Sequence, residues 1–246
     1  MATTVITHIY NESFLLPIWI RHHRDRFDHG IILDYGSTDN PQEIVRELAP
    51  HWEFRNTGLD VFHADVLDSM INSVENRVVG TRLVLTITEF LLGQPRLAER
   101  RYLIPQVLLI NTDDSLVFDS AKPFHQQVKW GLGSDTESTA PWWSRSMHQA
   151  PTNYGSDGSM TGRHYHGIDN GPYLIYRVSN CYVSPEMFER RLAIQYRIPE
   201  SDKARQMGVQ HHNWNQGLTL DALLAEQAQH RLNARNLTAL LEHYDR

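Results

Sequence analysis

An α/β fold built on a mostly parallel sheet is predicted by three features of the first ninety residues. Short β-branched or aliphatic runs alternate with amphipathic helical stretches, so that strands recur at residues 4–9, 30–33, 52–55 and 82–87. The gaps between these strands have room for crossover helices, which parallel neighbours require. Three of the runs end abruptly in polar residues, as strands do where such a sheet opens onto a ligand crevice.

Residues 4–9 (TVITHI) are short and β-branched and read as a buried strand. Asn11-Glu12-Ser13 then opens a helix in which Leu15, Leu16, Trp19, Ile20 and His23 recur at helical spacing through Phe27. Gly30 to Leu33 supply the second strand. Residues 37–40 cap the next helix, with Pro41 at its first position and Ile44, Val45 and Leu48 on one face. The third strand is followed by a longer helix over residues 61–79, with Val66, Leu67, Met70, Ile71 and Val74 inward. The fourth strand (RLVLTI) runs on into Thr88-Glu89-Phe90-Leu91.

The second half is less regular. Residues 102–110 (YLIPQVLLI) are a strand or a strand pair broken at Pro105, and residues 173–178 are a further strand. Between them, residues 111–171 are rich in Gly, Ser, Thr, Asp, Trp and His, the composition of functional loops on a few short strands. Residues 185–195 read as helical. Residues 219–244 are one or two amphipathic helices docking through Leu220, Leu223, Leu224, Leu232, Leu237 and Leu241. No repeat or low-complexity linker divides the chain, so residues 1–246 form one domain with a helical segment from residue 216.

Composition narrows the function classes. A hydrophobic content of 41% over 246 residues is enough for a full core. No apolar run approaches the roughly 18–20 residues that span a bilayer, and the first residues, MATTVITHIYNE, lack the pattern of a secretory signal. A single cysteine, Cys181, excludes an intramolecular disulfide and a Cys-rich metal site. These features fit a cytoplasmic setting. The net charge of −6 argues against wrapping nucleic acid by charge, and says nothing against a small anionic ligand.

The polar strand ends carry the chemistry. Asp34 closes the second strand, in DYGSTD, and a carboxylate there can accept hydrogen bonds from a base imide or ribose hydroxyls. Ser37 and Asp39 are placed to cap the following helix, whose free N–H groups also suit an anion. Taken alone, the turn is equally a simple N-cap. Upstream, however, a strand runs into Tyr10-Asn11-Glu12 and then a helix carrying Leu16-Pro17-Ile18-Trp19 and His22-His23. Together these segments resemble the N-terminal half of GT-A glycosyltransferases of the family 2 type, nearest to virus-encoded and bacterial polysaccharide sugar transferases. The resemblance is strong over residues 4–40, fair to about residue 93 and weak beyond.

It implies a Rossmann-like GT-A fold, with residues 1–93 as the nucleotide-binding half and residues 94–215 as the acceptor and metal half. It implies an enzyme moving a sugar from a nucleotide-sugar donor, a UDP-sugar favoured, to a hydroxyl of a glycan or glycoprotein acceptor, with inversion by in-line attack. By the same resemblance His8, Tyr10, Asn11, Glu12, Asp34, Ser37, Asp39 and Asp65 would hold the nucleotide. Tyr10 would stack near the base and Glu12 would reach the ribose or order its loop. The plainer role for Glu12 is a carboxylate favoured by a helix N-terminus. The same holds for Asp65 and Asp68, three residues apart beside His63.

One departure bears on metal. The family carries Asp-x-Asp at the fourth strand's end to bind a divalent cation, and this chain has Thr86-Ile87-Thr88 before Glu89. Manganese or magnesium prefers anionic oxygens. Glu89 would have to supply the missing carboxylate, with His164 and His166 of TGRHYHGIDNG as late ligands; otherwise the metal is held elsewhere or is not used, and the plainer role for Glu89 is a salt bridge to a nearby arginine such as Arg82. Arg163, His164 and His166 are also candidates to neutralise a leaving diphosphate, though a polar surface loop would look the same. Trp142-Trp143 and His211, His212 and Trp214 are candidates for the acceptor side, where aromatic rings stack on sugar faces; Trp is also a common core residue. The base that takes the acceptor proton is expected among Asp113, Asp114, Asp135, Glu137, Asp157 and Asp169, with Asp157 and Asp169 put forward. The alternative is a non-catalytic nucleotide- or sugar-binding module on a degenerate scaffold. A dinucleotide oxidoreductase is disfavoured because the first strand runs into Tyr-Asn-Glu instead of a glycine-rich turn.

Overall fold

A computed structural model describes residues 2–59, 63–95, 102–133, 145–152, 169–170, 172–178 and 220–245. In chain order its first half contains β1 (Thr3–Ile9), α1 (Leu16–His23), β2 (His29–Asp34), α2 (Pro41–Leu48), β3 (Glu53–Asn56), α3 (Ala64–Arg77), β4 (Thr81–Val84) and β5 (Glu89–Leu92). The second half contains β6 (Tyr102–Ile104), β7 (Gln106–Leu109), α4 (Phe124–Gln127), β8 (Trp130–Gly133), β9 (Arg145–His148), β10 (Asp169–Asn170) and β11 (Leu174–Arg177). It closes with α5 (Leu220–Asn233), β12 (Arg235–Asn236) and α6 (Thr238–Tyr244).

The fold is α/β, and its described strands form two sheets. The first runs β10-β6-β9-β4-β1-β2-β3. Its four N-terminal strands are all parallel, and β9 is inserted antiparallel between β4 and β6. The second sheet runs β12-β8-β7-β11-β5 and is mainly antiparallel.

Alternation along β1 divides the core. Val5 and Ile9 pack with Ile32, Leu83, α1 and the second sheet; Ile6 packs with Ile31, Leu33 and Val84 against Leu67, Ile71 and Val74 of α3. Because both faces are covered, the parallel strands read as nearly continuous apolar runs. Gly30 is fixed by packing: a Cβ there would lie 2.1 Å from the Trp52 ring, so only glycine lets the indole lie on β2.

Several expected boundaries move. The first helix is confined to Leu16–His23, and the long helix begins at Ala64. The fourth strand stops at Val84, because the chain turns at residues 85–88 and leaves the first sheet to start β5 in the second. Residues 102–110 are indeed two strands, with β6 and β7 in different sheets either side of Pro105. Of the leucines expected to dock the C-terminal helices, Leu237 and Leu241 are buried, whereas Leu224 and Leu232 are 46% and 81% exposed. The reason is that α5 shows little separation of apolar from polar faces, and the core is reached instead by α6 and the residue before it. The segment expected as a helix at residues 185–195 lies outside the described residues.

Side chains of α1 also bond to the backbone of β5. Trp19 Nε1 donates to Glu89 O at 2.9 Å, and His22 Nε2 donates to Leu91 O at 2.7 Å. His23 Nδ1 donates to Trp19 O, leaving Nε2 to accept from Leu91 N at 3.2 Å. That pattern requires a neutral ring. Burial lowers the pKa of His23 to about 3 and also pulls His22 well below its ordinary value.

Candidate functional site at the tips of the parallel strands

The ends of β1 and β2 are neighbours, with Ile9 paired to Asp34 and Tyr35 N donating to Ile9 O at 3.2 Å. The loops beyond them are stitched together by reciprocal bonds. Asn11 N donates to Ser37 Oγ at 2.8 Å, and Thr38 N donates back to Asn11 Oδ1 at 2.7 Å. Ser13 N donates to Asp39 Oδ2 at 2.8 Å, and the Ser13 hydroxyl donates to Asp39 O. Asn11 adopts φ 51°, a left-handed conformation that asparagine tolerates better than most residues.

This bracing corrects the expected role of Ser37 and Asp39. Neither caps α2. The capping position belongs to Asn40, whose side chain makes no capping bond, while Ser37 and Asp39 face the β1 loop. Short polar side chains satisfy whichever orphan N–H lies nearest, and here those of Asn11 and Ser13 are nearer.

Asp34 sits under the braced loops, 3% exposed, with both carboxylate oxygens 3.2–3.3 Å from Ser37 N. Burial raises its pKa; hydrogen bonds from Ser37 pull the other way, and the Asp39 charge adds to the rise. Beside it the rings of Tyr10 and Tyr35 stack at 5.3 Å and 16°, and His8 lies 5.9 Å from Tyr35. Glu12 is buried at the entrance to α1. Thus the fold gathers His8, Tyr10, Asn11, Glu12, Asp34, Ser37 and Asp39 at the carboxyl ends of β1 and β2. Tyr35 joins them; it directly follows Asp34 in the quoted motif and could have been nominated with it.

The turn after β4 lies beside β1, as Leu85 N donates to Ile6 O at 2.9 Å. Thr86 and Thr88 hydroxyls are 3.1 Å apart. Glu89 points inward, 2% exposed, and its carboxylate is fully engaged. Oε2 accepts from Thr86 N at 2.8 Å and from Arg145 Nε at 2.9 Å; Oε1 accepts from Gln106 Nε2 at 3.3 Å and lies 3.9 Å from Arg177 Nε. Burial alone would raise the Glu89 pKa, but the charges of Arg145 and Arg177 override it and hold the carboxyl below its ordinary value.

The described residues at this turn do not fit a divalent cation. The turn offers two hydroxyls, and the nearby carboxylate is bound between two guanidiniums. No group of three or more His, Cys, Asp or Glu side chains among the described residues is arranged to hold a metal ion. His164, His166 and Arg163 lie outside the described residues.

Asp65 lies in the first turn of α3, and Asp68, further along it, is buried. Asp169 begins β10, paired to Tyr102 at the far side of the first sheet. Asp113 binds Ser115 N and Oγ, and Asp114 forms a 2.6 Å ion pair with Arg231 of α5. Asp135, Glu137, Asp157, Trp142, Trp143, His211, His212 and Trp214 lie outside the described residues. A hollow of about 270 Å³ opens at the opposite end of the parallel strands, lined by Thr4, His29, Glu53 and Arg55 among others. It is remote from these residues.

No protein-family model matches the chain, and no curated protein matches it in sequence. Among solved structures it is similar to S. aureus TarS 1–349, at 9% identity and a TM-score of 0.43, over 95% of this chain and 80% of that one. The same fragment in complex with UDP-GlcNAc gives 12% identity and 0.41, over 95% and 73%. HddC from Yersinia pseudotuberculosis gives 11% and 0.35, over 77% and 97%.

Proposed function

We propose that this protein is a glycosyltransferase that takes a sugar from a nucleotide-sugar donor, a UDP-sugar favoured, and passes it to a hydroxyl of a glycan or glycoprotein. The observation that carries this reading is the cross-braced pair of loops after β1 and β2, which holds Asp34 and the Tyr10–Tyr35 stack at the carboxyl ends of parallel strands. Such ends are where α/β sheets bind nucleotides. In this reading the base lies against the tyrosines, and Asp34 accepts from the base imide or ribose. Asn11, Ser37 and Asp39 keep the loops in register, His8, Glu12 and Asp65 border the nucleotide, and Asp157 or Asp169 takes the acceptor proton as the new glycosidic bond forms.

A second reading, a nucleotide- or sugar-binding module without turnover, is favoured by one observation: Glu89, the carboxylate next to the missing Asp-x-Asp, is locked between Arg145 and Arg177. A thermal-shift screen with UDP-, GDP- and dTDP-sugars, followed by donor-hydrolysis and transfer assays, separates the two. The transferase reading expects stabilisation by one donor class and turnover of it. Binding without turnover across a broad acceptor pool supports the module, and no stabilisation by any donor rejects both.

A further inference from the structure

The turn after β4 has the chemistry of an anion seat, an inference that rests on the nucleotide-sugar reading above. The Thr86 and Thr88 hydroxyls are hydrogen-bonded to each other at 3.1 Å, and Thr88 is buried, so one proton of the pair is committed and Thr86 is the more exposed member. Thr86 N is bonded to Glu89, and Val178 N donates to Thr88 O at 2.9 Å, so the end of β11 adjoins the turn. Arg145 from β9 and Arg177 from β11 converge on the Glu89 carboxylate at 2.9 and 3.9 Å. These three side chains together carry one positive charge. The Arg145 side chain is 6% exposed and the Arg177 side chain 25%, so of the two it is Arg177 that reaches toward solvent.

A divalent cation brought to Thr86 and Thr88 would meet two guanidiniums, and the carboxylate that could offset its charge is already committed to them. A phosphate group meets the reverse: a hydroxyl donor and a planar guanidinium suited to its oxygens. We propose that the turn after β4 binds the donor's diphosphate through Arg177 and the Thr86 hydroxyl, with the Thr88 hydroxyl bonded behind it, that Glu89 and Arg145 position Arg177, and that no divalent cation takes part there. During transfer the acceptor oxygen bonds to the anomeric carbon as the bond from that carbon to the β-phosphate oxygen breaks. The electron pair departs on that phosphate oxygen, whose charge Arg177 meets, and the acceptor proton passes to the carboxylate base.

The test is calorimetric titration of the full chain with UDP, GDP and dTDP, and with the matching nucleosides, in EDTA and then in manganese. The expected result is that one diphosphate binds in EDTA about as tightly as with manganese, and at least ~10-fold more tightly than its nucleoside. Arg177→Gln should weaken the diphosphate roughly 10-fold or more while leaving the nucleoside unchanged, with Arg177→Lys between them. Thr86→Val, which keeps the side chain's shape, should weaken the diphosphate by a few-fold, on the order of one lost hydrogen bond; it serves if the Arg177 variants fail to fold. Diphosphate binding that needs manganese would overturn this proposal and leave the donor reading standing. So would binding in EDTA that neither Arg177→Gln nor Thr86→Val weakens. If no diphosphate binds in either condition, the donor reading falls and this proposal falls with it.

Discussion

The loops after β1 and β2 and the turn after β4 occupy neighbouring strand ends, yet they are held by different forces. The loops are braced largely by backbone N–H groups on short polar side chains, Asn11 with Ser37 and Thr38, and Ser13 with Asp39. The turn is anchored by a buried carboxylate between two guanidiniums. Loop bracing is local and graded, so losing one bond should loosen a site without unfolding it. The ionic anchor joins β5, β9 and β11, and removing its centre takes a carboxylate from a buried guanidinium, Arg145, and from a partly exposed one, Arg177. One construction fixes the shape of a pair of strand-end loops; the other ties β9 of the first sheet to β5 and β11 of the second.

The largest expected effect follows from that contrast. Glu89→Ala should cost about 3–5 kcal/mol, the typical penalty for removing one partner of a buried ion pair, and lower the Tm by roughly 6–20 °C for a chain of this size. A loss under about 1 kcal/mol by urea titration would show that the ionic anchor is not structural.

Acid provides a second test. His22 and His23 have depressed folded-state pKa values, so the unfolded chain takes up protons first. Stability should therefore be full above about pH 6.5 and fall as pH drops toward 3, by up to roughly 1.4 kcal/mol per pH unit for each ring that stays neutral. Glu89, also depressed, adds to the loss below its ordinary value of 4.5. Flat urea midpoints between pH 7 and 5 would contradict the buried neutral histidines.

Asn11→Gly is the finer probe of the loops. Glycine accepts the left-handed backbone and deletes only the acceptor for Thr38. About 1 kcal/mol should be lost, with nucleotide affinity falling while the Tm moves by a few degrees. A change as large as that of Glu89→Ala would erase the distinction between the two regions.

The smallest stability effect is expected at Asp34, where it should run opposite to the effect on binding. A buried carboxylate with a raised pKa is costly when ionised, so Asp34→Asn should leave the Tm at neutral pH unchanged or slightly higher. Calorimetry should nevertheless show nucleotide binding weakened by about 10–100-fold, the worth of a charged hydrogen bond. Unchanged affinity would remove Asp34 from the pocket.

The same contrast explains what could be read in advance. β1, β2, β3 and the helices between them were legible because each is announced by residues adjacent in sequence: a β-branched run, a polar stop, a proline at a helix start. The places of Asp34, Asn11 and Tyr10 at strand ends were legible for the same reason. The direction in which Ser37 and Asp39 face was not, since a short side chain beside two sets of orphan N–H groups is assigned only when the loops meet. Nor, beyond a salt bridge to a nearby arginine such as Arg82, were the partners of Glu89 legible. Its partners arrive from Gln106, Arg145 and Arg177 on three later strands, and no spacing rule links an arginine on β9 to a glutamate on β5. The exposed leucines of α5 misled for a simpler reason: leucine favours helix whether or not it is buried.

The bonds from α1 to β5 have a consequence for association. Among the described strands β5 ends the order of the second sheet, and an outer strand ordinarily offers its spare backbone groups to any passing chain. Here the Trp19, His22 and His23 side chains already occupy Glu89 O and both backbone groups of Leu91. Those groups are closed to strand addition by a second molecule.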